Sequence, residues 1–366
     1  MATTRTEAAV ERLDVHACTV PTDEPESDGT LEWDSTTIVI VEAHAGGETG
    51  IGYTYCDIAA AELVRSTLAD AVHGCDAMDV RAAWLKLGAR VRNTGRPGIA
   101  FCAISAVDQA LWDVRARLLD VPLATLLGPA HDEVPIYGSG GFCAYSNERL
   151  QEQLGDWAAA GIPRVKMKVG REPQRDPARL DAAREAIGDD VELYVDANGA
   201  FPRKQALAWA VRFASDWDVT WFEEPVSSAD FEGLRLLRDH GPPGLEIAAG
   251  EYAYVPADFR NLVECVDCLQ ADVTRCGGIT GLLSASGLAN AHGIDVSAHC
   301  APAISAHAFC ALERRRHLEY FHDHVRIEGM LFDGAPEPVG GVLRPDRSRP
   351  GNGLELKRKE VERWSA

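Results

Sequence analysis

The sequence predicts an α/β protein, a closed (β/α)-barrel preceded by a smaller α+β unit. Three observations carry this reading. From residue 134 onward, short β-rich runs recur at 134–137, 164–168, 192–196, 220–223, 246–250, 268–272, 294–298 and 317–321. Their starts lie roughly 22 to 30 residues apart, the length of one strand–helix unit, and eight such units close a barrel. The segments between them, such as 176–187 and 202–217, carry apolar residues at helical spacing. Finally, 366 residues exceed one ordinary domain and are short for three. A single doubly wound sheet is the alternative, but the near-regular series favours a barrel of modified TIM-like form.

Residues 1–130 form the mixed α+β unit. Within it, an acidic, turn-rich stretch at 21–28 precedes a strand at 37–42. A helix at 98–119 follows, with Ile104, Val107, Leu111 and Val114 as one apolar core stripe, and ends near Val121-Pro122. The barrel occupies 131–329. The tail, 330–366, is rich in Gly and Pro and is expected to return and complete the first domain.

Hydrophobic residues make up 46% and charged residues 25%, the balance of a soluble globular chain. No run approaches the roughly 18 apolar residues that a membrane span needs. Residues 1–14 mix Arg and Glu without an apolar core, so they do not read as a secretory signal, and a cytoplasmic location is expected. The ten cysteines are scattered; Cys102, Cys143 and Cys310 lie among small or apolar neighbours. The lone CxxC, Cys265 to Cys268, lacks a second pair and reads as packing rather than a zinc or redox motif. The net charge of −20 repels nucleic acid and anionic lipid, leaving a small molecule as the expected partner. An anionic substrate then needs local positive charge from lysines or a metal.

Barrel chemistry sits at the C-terminal ends of the strands. Those positions hold Lys166 and Lys168, Asp196 and Asn198, Glu223, Glu251, Asp272, His299 and Glu319. Asp196, Glu223 and Glu251 come from adjacent strands and point at one place. Unpaired, they would repel strongly, and a hard divalent cation such as Mg2+ relieves that repulsion through oxygen ligands. Of Glu223 and Glu224, alternation lets only one face the centre; Glu223 is expected at the metal and Glu224 behind it. Lys166 and Lys168 share one strand face, and each ammonium is expected to lower the other's pKa from about 10.4 toward the roughly 7–8 of a general base. His299 stands opposite, with Asp272 to fix its tautomer.

These residues match a known pattern. Val165-Lys166-Met167-Lys168, Val195-Asp196-Ala197-Asn198, Phe222-Glu223-Glu224-Pro225, Gly250-Glu251, Asp272 with Gly277-Gly278-Ile279-Thr280, and Ser297-Ala298-His299 resemble the mandelate racemase subgroup of the enolase superfamily. Glu319 resembles its strand-eight carboxylic acid, and the helix around 103–113 the end of its N-terminal capping domain. The likeness runs in order through essentially the whole chain. It implies Mg2+ on Asp196, Glu223 and Glu251, with the substrate carboxylate on the metal. It implies Lys168 as base on one face, Lys166 as its neighbour and carboxylate ligand, and His299 backed by Asp272 on the other face. Glu319 would donate a hydrogen bond to the enediolate, and Lys166, Asn198, Glu319 and Trp33 would contact substrate. Tuning a Lys or His base beside Mg2+ is itself a general example of pKa control in this superfamily. The sixth strand carries Asp272 with Arg275 nearby, without the second Lys of the muconate-lactonizing subgroup.

The shared first step is removal of the α-proton of a carboxylate. Dehydration of an acid sugar to a 2-keto-3-deoxy acid is the expected outcome. Racemisation or epimerisation and cycloisomerisation are the alternatives, and a barrel that only binds its ligand is the remote one. Residues 21–33 are expected to form a lid, with Trp33 or Leu31 over the substrate. The acids Asp23, Glu24, Glu26 and Asp28 would favour a monocarboxylic sugar acid over a diacid. A homo-oligomer is expected.

Overall fold

The computed structural model describes residues 8–366; the first half of the N-terminal stretch judged against a secretory signal lies outside them. Three antiparallel strands open the chain: β1 (Val10–Ser27), β2 (Glu32–Ala45) and β3 (Glu48–Tyr55). The β2–β3 turn is Gly46-Gly47, with φ of 58° and 85°, the doubly left-handed hairpin geometry that glycine allows.

The stretch 21–28 is mostly strand, not a turn. β1 continues through it with a register shift between Pro21 and Glu26, a position an edge strand tolerates because it has no partner on its other side. The chain reverses only beyond Ser27. There Asp28 Oδ1 accepts from the backbone N–H of Thr30 and Leu31, each at 2.6 Å.

The helix Ile99–Leu118 lies between this sheet and the barrel. A Cβ on Gly50 or Gly52 would meet its backbone at 2.2 Å, so β3 rests directly on the helix. The expected stripe is buried, but so are Ser105, Asp108, Gln109 and Asp113. Asp113 and Gln109 accept from the N–H groups of Ile51 and Tyr53, while Asp108 and Ser105 bind Thr280, Gly277 and Gly278 of a barrel loop. Helical periodicity found the apolar side; the polar side is buried because it satisfies backbone groups on two neighbours.

Eight parallel strands follow: β4 (Val134–Gly140), β5 (Arg164–Lys168), β6 (Glu192–Asp196), β7 (Val219–Glu223), β8 (Glu246–Ala249), β9 (Cys268–Ala271), β10 (Asp295–Ala298) and β11 (Arg315–Phe321). They pair in chain order, and β11 pairs with β4 to close the barrel. Each predicted run falls on one of them. Tyr137, Tyr194, Trp221, Ala248 and Cys268 pack together inside as a floor, so Cys268 of the CxxC is a packing residue; both its cysteines are free and buried.

In the tail, β12 (Phe332–Asp333) pairs with β14 (Glu355–Leu356), and β13 (Val342–Leu343) adds antiparallel to β4. Asn352 N–H donates to Asp113, and Ala366 N–H to Ala17 O. No helix among the described residues is long and apolar enough to cross a membrane.

Arg358 in the last helix grips buried Glu42 of β2 with both terminal guanidinium nitrogens, and His16 Nε2 donates to it at 2.9 Å. Burial pushes the Glu42 carboxyl up, but His16 and Arg358 outweigh it and hold it at about 2, below its ordinary 4.5. A depressed carboxylate stabilises the fold above its unfolded pKa and loses that contribution as pH falls through the folded one. Glu42→Gln is therefore expected to cost about 1–3 kcal/mol at neutral pH. Its difference from the parent should shrink between pH 4.5 and about 2, which urea unfolding at stepped pH measures.

Candidate active site

The parallel register sets the strand ends side by side: Lys168 pairs with Asp196, and Asp196 with Glu223. The next acid arrives by a kink. Gly250 has φ of 141°, and a Cβ there would meet Gln270 O at 2.1 Å, so only glycine lets β8 turn Glu251 inward. Oxygens of Asp196, Glu223 and Glu251 lie within 4.8 Å of one another, all buried. Glu251 Oε2 makes no hydrogen bond among the described residues and has only an ion-pair contact with His299 Nε2 at 3.3 Å; a buried carboxylate oxygen so placed fits a cation ligand.

Lys166 is fully buried over the Tyr137 ring, with Nζ against Glu223, 2.8 Å from Glu319 and 3.5 Å from Asp196. Lys168 Nζ is 2.5 Å from Asp196. Lys166 still lowers Lys168 as expected, but that effect is outweighed. Burial lowers both ammonium groups, but the acids outweigh it: Glu223, Glu319 and Asp196 hold Lys166 well above its ordinary value, and Asp196 holds up Lys168. The two-residue spacing revealed the shared face but not the acids arriving from other strands.

On the far side, His299 Nδ1 is 2.7 Å from Asp272 Oδ2, while Asp272 Oδ1 accepts from Thr274 N–H and its hydroxyl. Nε2 is left toward the cradle, 3.3 Å from Glu251 and 3.6 Å from Glu319. Burial lowers this imidazole, but Glu251, Glu319 and Asp272 raise it overall. Arg275 reaches both Asp272, at 3.4 Å, and Glu251, at 3.6 Å. It ties the histidine's partner to the cradle, a link that sequence spacing did not reveal.

Glu319 accepts on both oxygens, from Ser139 at 2.6 Å and from Cys300 N–H at 3.1 Å. Burial raises it, yet Lys166 holds it well below the usual carboxylate range. It stands as an ionised acceptor rather than the expected donor. Asn198 has a left-handed φ of 44°, and its side-chain Oδ1 is buried without a hydrogen-bond partner among the described residues. Glu224 follows the strand end with φ of 39°, its Oε1 unpartnered. Burial and then Glu251 push its carboxyl well above the ordinary value.

The hairpin tip lies on the barrel mouth. Ser27 O accepts from Cys143 N–H at 2.7 Å, and a Cβ on Gly29 would meet Ala197 O at 2.3 Å. Leu31 is 62% exposed and does not cover the cleft. Trp33 is half-buried, bonded to Glu26 and edge-on to Phe142, which meets Phe321 in turn. The hairpin acids are engaged: Asp23 with His322, Glu24 with Arg149, Asp28 with its own turn. Glu26 is pushed up to about 8, chiefly by burial and then by Asp323.

A closed barrel under an α+β cap, with three acids gathered between lysines and a His–Asp pair, defines a class built to hold a cation and move protons on both sides of it. The chain belongs to the mandelate racemase / muconate lactonizing enzyme family. Residues 16–128 match that family's N-terminal domain, and residues 149–361 match the enolase C-terminal domain-like family. It is 31% identical to the 3,6-anhydro-alpha-L-galactonate cycloisomerase of Streptomyces coelicolor, over 94% of this chain and 96% of that one. It is 32% identical to the L-talarate/galactarate dehydratase of Salmonella typhimurium, over 90% and 82%. That dehydratase has been solved with Mg and L-lyxarohydroxamate, and superposes with a TM-score of 0.90 at 29% identity, covering 100% and 96% of the chains. A mandelate racemase/muconate lactonizing enzyme-like protein from Rubrobacter xylanophilus superposes at 0.97 with 62% identity, covering 98% and 100%.

Proposed function

We propose that this chain is a Mg2+-dependent enzyme that removes the α-proton of a carboxylate substrate and, on an acid sugar, eliminates water to leave a 2-keto-3-deoxy acid. The observation that carries the proposal is the cradle of Asp196, Glu223 and Glu251, with Lys168 on one side and the His299–Asp272 pair on the other. A cation held by those three acids, when bound, neutralises charge developing on the substrate carboxylate. With Asp196 engaged as a ligand, Lys168 would no longer be held by it and its amine would be free to act as a base. Lys168 Nζ takes the α-proton. His299 Nε2, held by Asp272 on its other nitrogen, gives a proton to the departing β-hydroxyl, and water leaves. Lys166, released from Glu223 and Glu319, binds the substrate carboxylate; without that ammonium beside it, Glu319 takes up a proton and donates a hydrogen bond to the forming enediolate. Asn198 Oδ1, unpartnered and buried, is a further substrate contact.

Cycloisomerisation is the second reading, supported by 31% identity to a cycloisomerase over 94% of the chain. A panel of mono- and dicarboxylic sugar acids, galactarate and L-rhamnonate among them, tests both readings with Mg2+ present. Dehydration yields a keto acid lighter by one water, ring opening yields a keto acid of unchanged mass, and racemisation changes configuration only. No conversion and no α-proton exchange with any acid would leave a ligand-binding barrel.

The lid reading rests on the backbone contact at Gly29. Gly29→Ala should lift the tip from Ala197 and raise KM about 10-fold or more, since small displacements near a site are costly. An unchanged KM, with the variant folded by circular dichroism, removes the hairpin from substrate binding.

A further inference from the structure

His324 is a buried imidazole that the mechanism above does not use. It lies in the helix His322–Leu331, which follows β11 without a loop. One ring face stacks on Tyr55 of the cap, with centroids 3.4 Å apart and planes 9° from parallel. Phe321 meets it edge-on at 5.0 Å. Tyr55 Oη donates to the His324 carbonyl at 3.3 Å, and His324 Nδ1 accepts from Ala301 N–H at 3.4 Å.

Ala301 lies two residues beyond His299, in the left-handed region at φ of 47°. That conformation directs its N–H away from the preceding strand path. With Nδ1 occupied as an acceptor, a neutral ring carries its proton on Nε2. Burial, and then the charge on His299, push the His324 pKa down to about 3, so the ring is neutral at ordinary pH. The groups acting on it are His299, Asp272, Arg275 and Glu319, all of the site. Nε2 has no hydrogen-bond partner among the described residues, and it is not one of the fully sealed, unpartnered atoms. A ring clamped on its face, edge and one nitrogen therefore keeps one unengaged donor, held between Ala301, two residues past His299, and Phe321, two residues past Glu319.

We propose that His324 Nε2–H is a fixed donor for a substrate oxygen beyond the reacting carboxylate, selecting a hydroxylated chain over an apolar one. This rests on the acid-substrate reading above and names the group that reads the rest of the molecule. A buried donor that goes unpaired with an apolar tail is penalised, which makes such a contact selective. Because Tyr55 comes from the cap and Ala301 from the barrel, the donor is placed only when the two parts meet.

Galactarate, L-rhamnonate and mandelate, each with Mg2+, are the probes, and calorimetric Kd is the readout. His324→Phe keeps a flat ring against Tyr55 and removes the donor; His324→Gln restores an N–H. The Phe variant should bind whichever sugar acid the parent prefers about tenfold more weakly, with mandelate unchanged and the Gln variant recovering part of the loss. Equal affinity for the sugar acid in parent and Phe variant, or equal losses for sugar acid and mandelate, overturns the proposal. So does a parent that binds mandelate but neither sugar acid. A parent that binds none of the three overturns the function reading itself, and this inference with it. Nitrogen-15 shifts of His324 in the free protein give a separate check: protonation on Nδ1 instead of Nε2 refutes the assignment whatever the acids do.

Discussion

Glu223→Gln is expected to lower kcat/KM by at least about 10³-fold, while Glu224→Gln, one residue on, should leave it within about tenfold; a metal's electrostatic contribution amounts to several kcal/mol, and each 1.36 kcal/mol is tenfold. The asymmetry follows from what each carboxyl faces. Glu223 faces Asp196 and Glu251, bonds Lys166 and accepts from Trp221 Nε1 at 2.9 Å. An amide there removes a negative ligand and presents an N–H toward a cation. Glu224 is equally buried but stands outside the three-acid cluster, so an amide there removes no ligand. Steady-state kinetics across a Mg2+ titration measures both variants, with EDTA as the zero point. Equal losses, or an unchanged Mg2+ requirement in Glu223→Gln, would remove Glu223 from the cradle.

The second large effect separates the two proton-transfer groups. Lys168 and His299 approach from β5 and the end of β10, on opposite sides of the cradle. Lys168→Ala should lose turnover and also exchange of the α-proton with D2O, because Lys166, its neighbour on that face, is taken up by the substrate carboxylate. His299→Asn should lose turnover yet retain exchange, since the enediolate forms and returns without the group that protonates the leaving hydroxyl. Each loss should reach the roughly 10²–10⁴-fold typical of general acid–base groups. NMR of a turned-over acid in D2O reads both quantities at once. Exchange retained in Lys168→Ala and lost in His299→Asn reverses the roles; full turnover in either dismisses that residue.

Asp272 shows how far local reasoning reaches. Its place at the end of β9, one strand before His299, was legible because strand ends in a barrel are neighbours, and the bond forms at 2.7 Å. Arg275, three residues on, was visible only as a nearby charge. That it spans Asp272 and Glu251 depends on a loop path no periodicity encodes. The acidic hairpin shows the converse. Composition at 21–28 favoured turns, but pairing with β2 extended it, because long-range hydrogen bonding overrides local preference. Its partners, His322 and Arg149, lie far along the chain.

The sequence by itself determined the eight strand–helix units, the inward alternation of Lys166 and Lys168, and the three acids converging on one point. Each follows from a repeat of two residues or of one strand–helix unit, which is local or nearly so. The tertiary structure alone decided the charge state of the lysines, the engagement of the hairpin acids and the open nitrogen of His324. Those depend on which groups from distant segments come within a few ångströms in a low-dielectric interior, where burial and one neighbouring charge decide between protonation states.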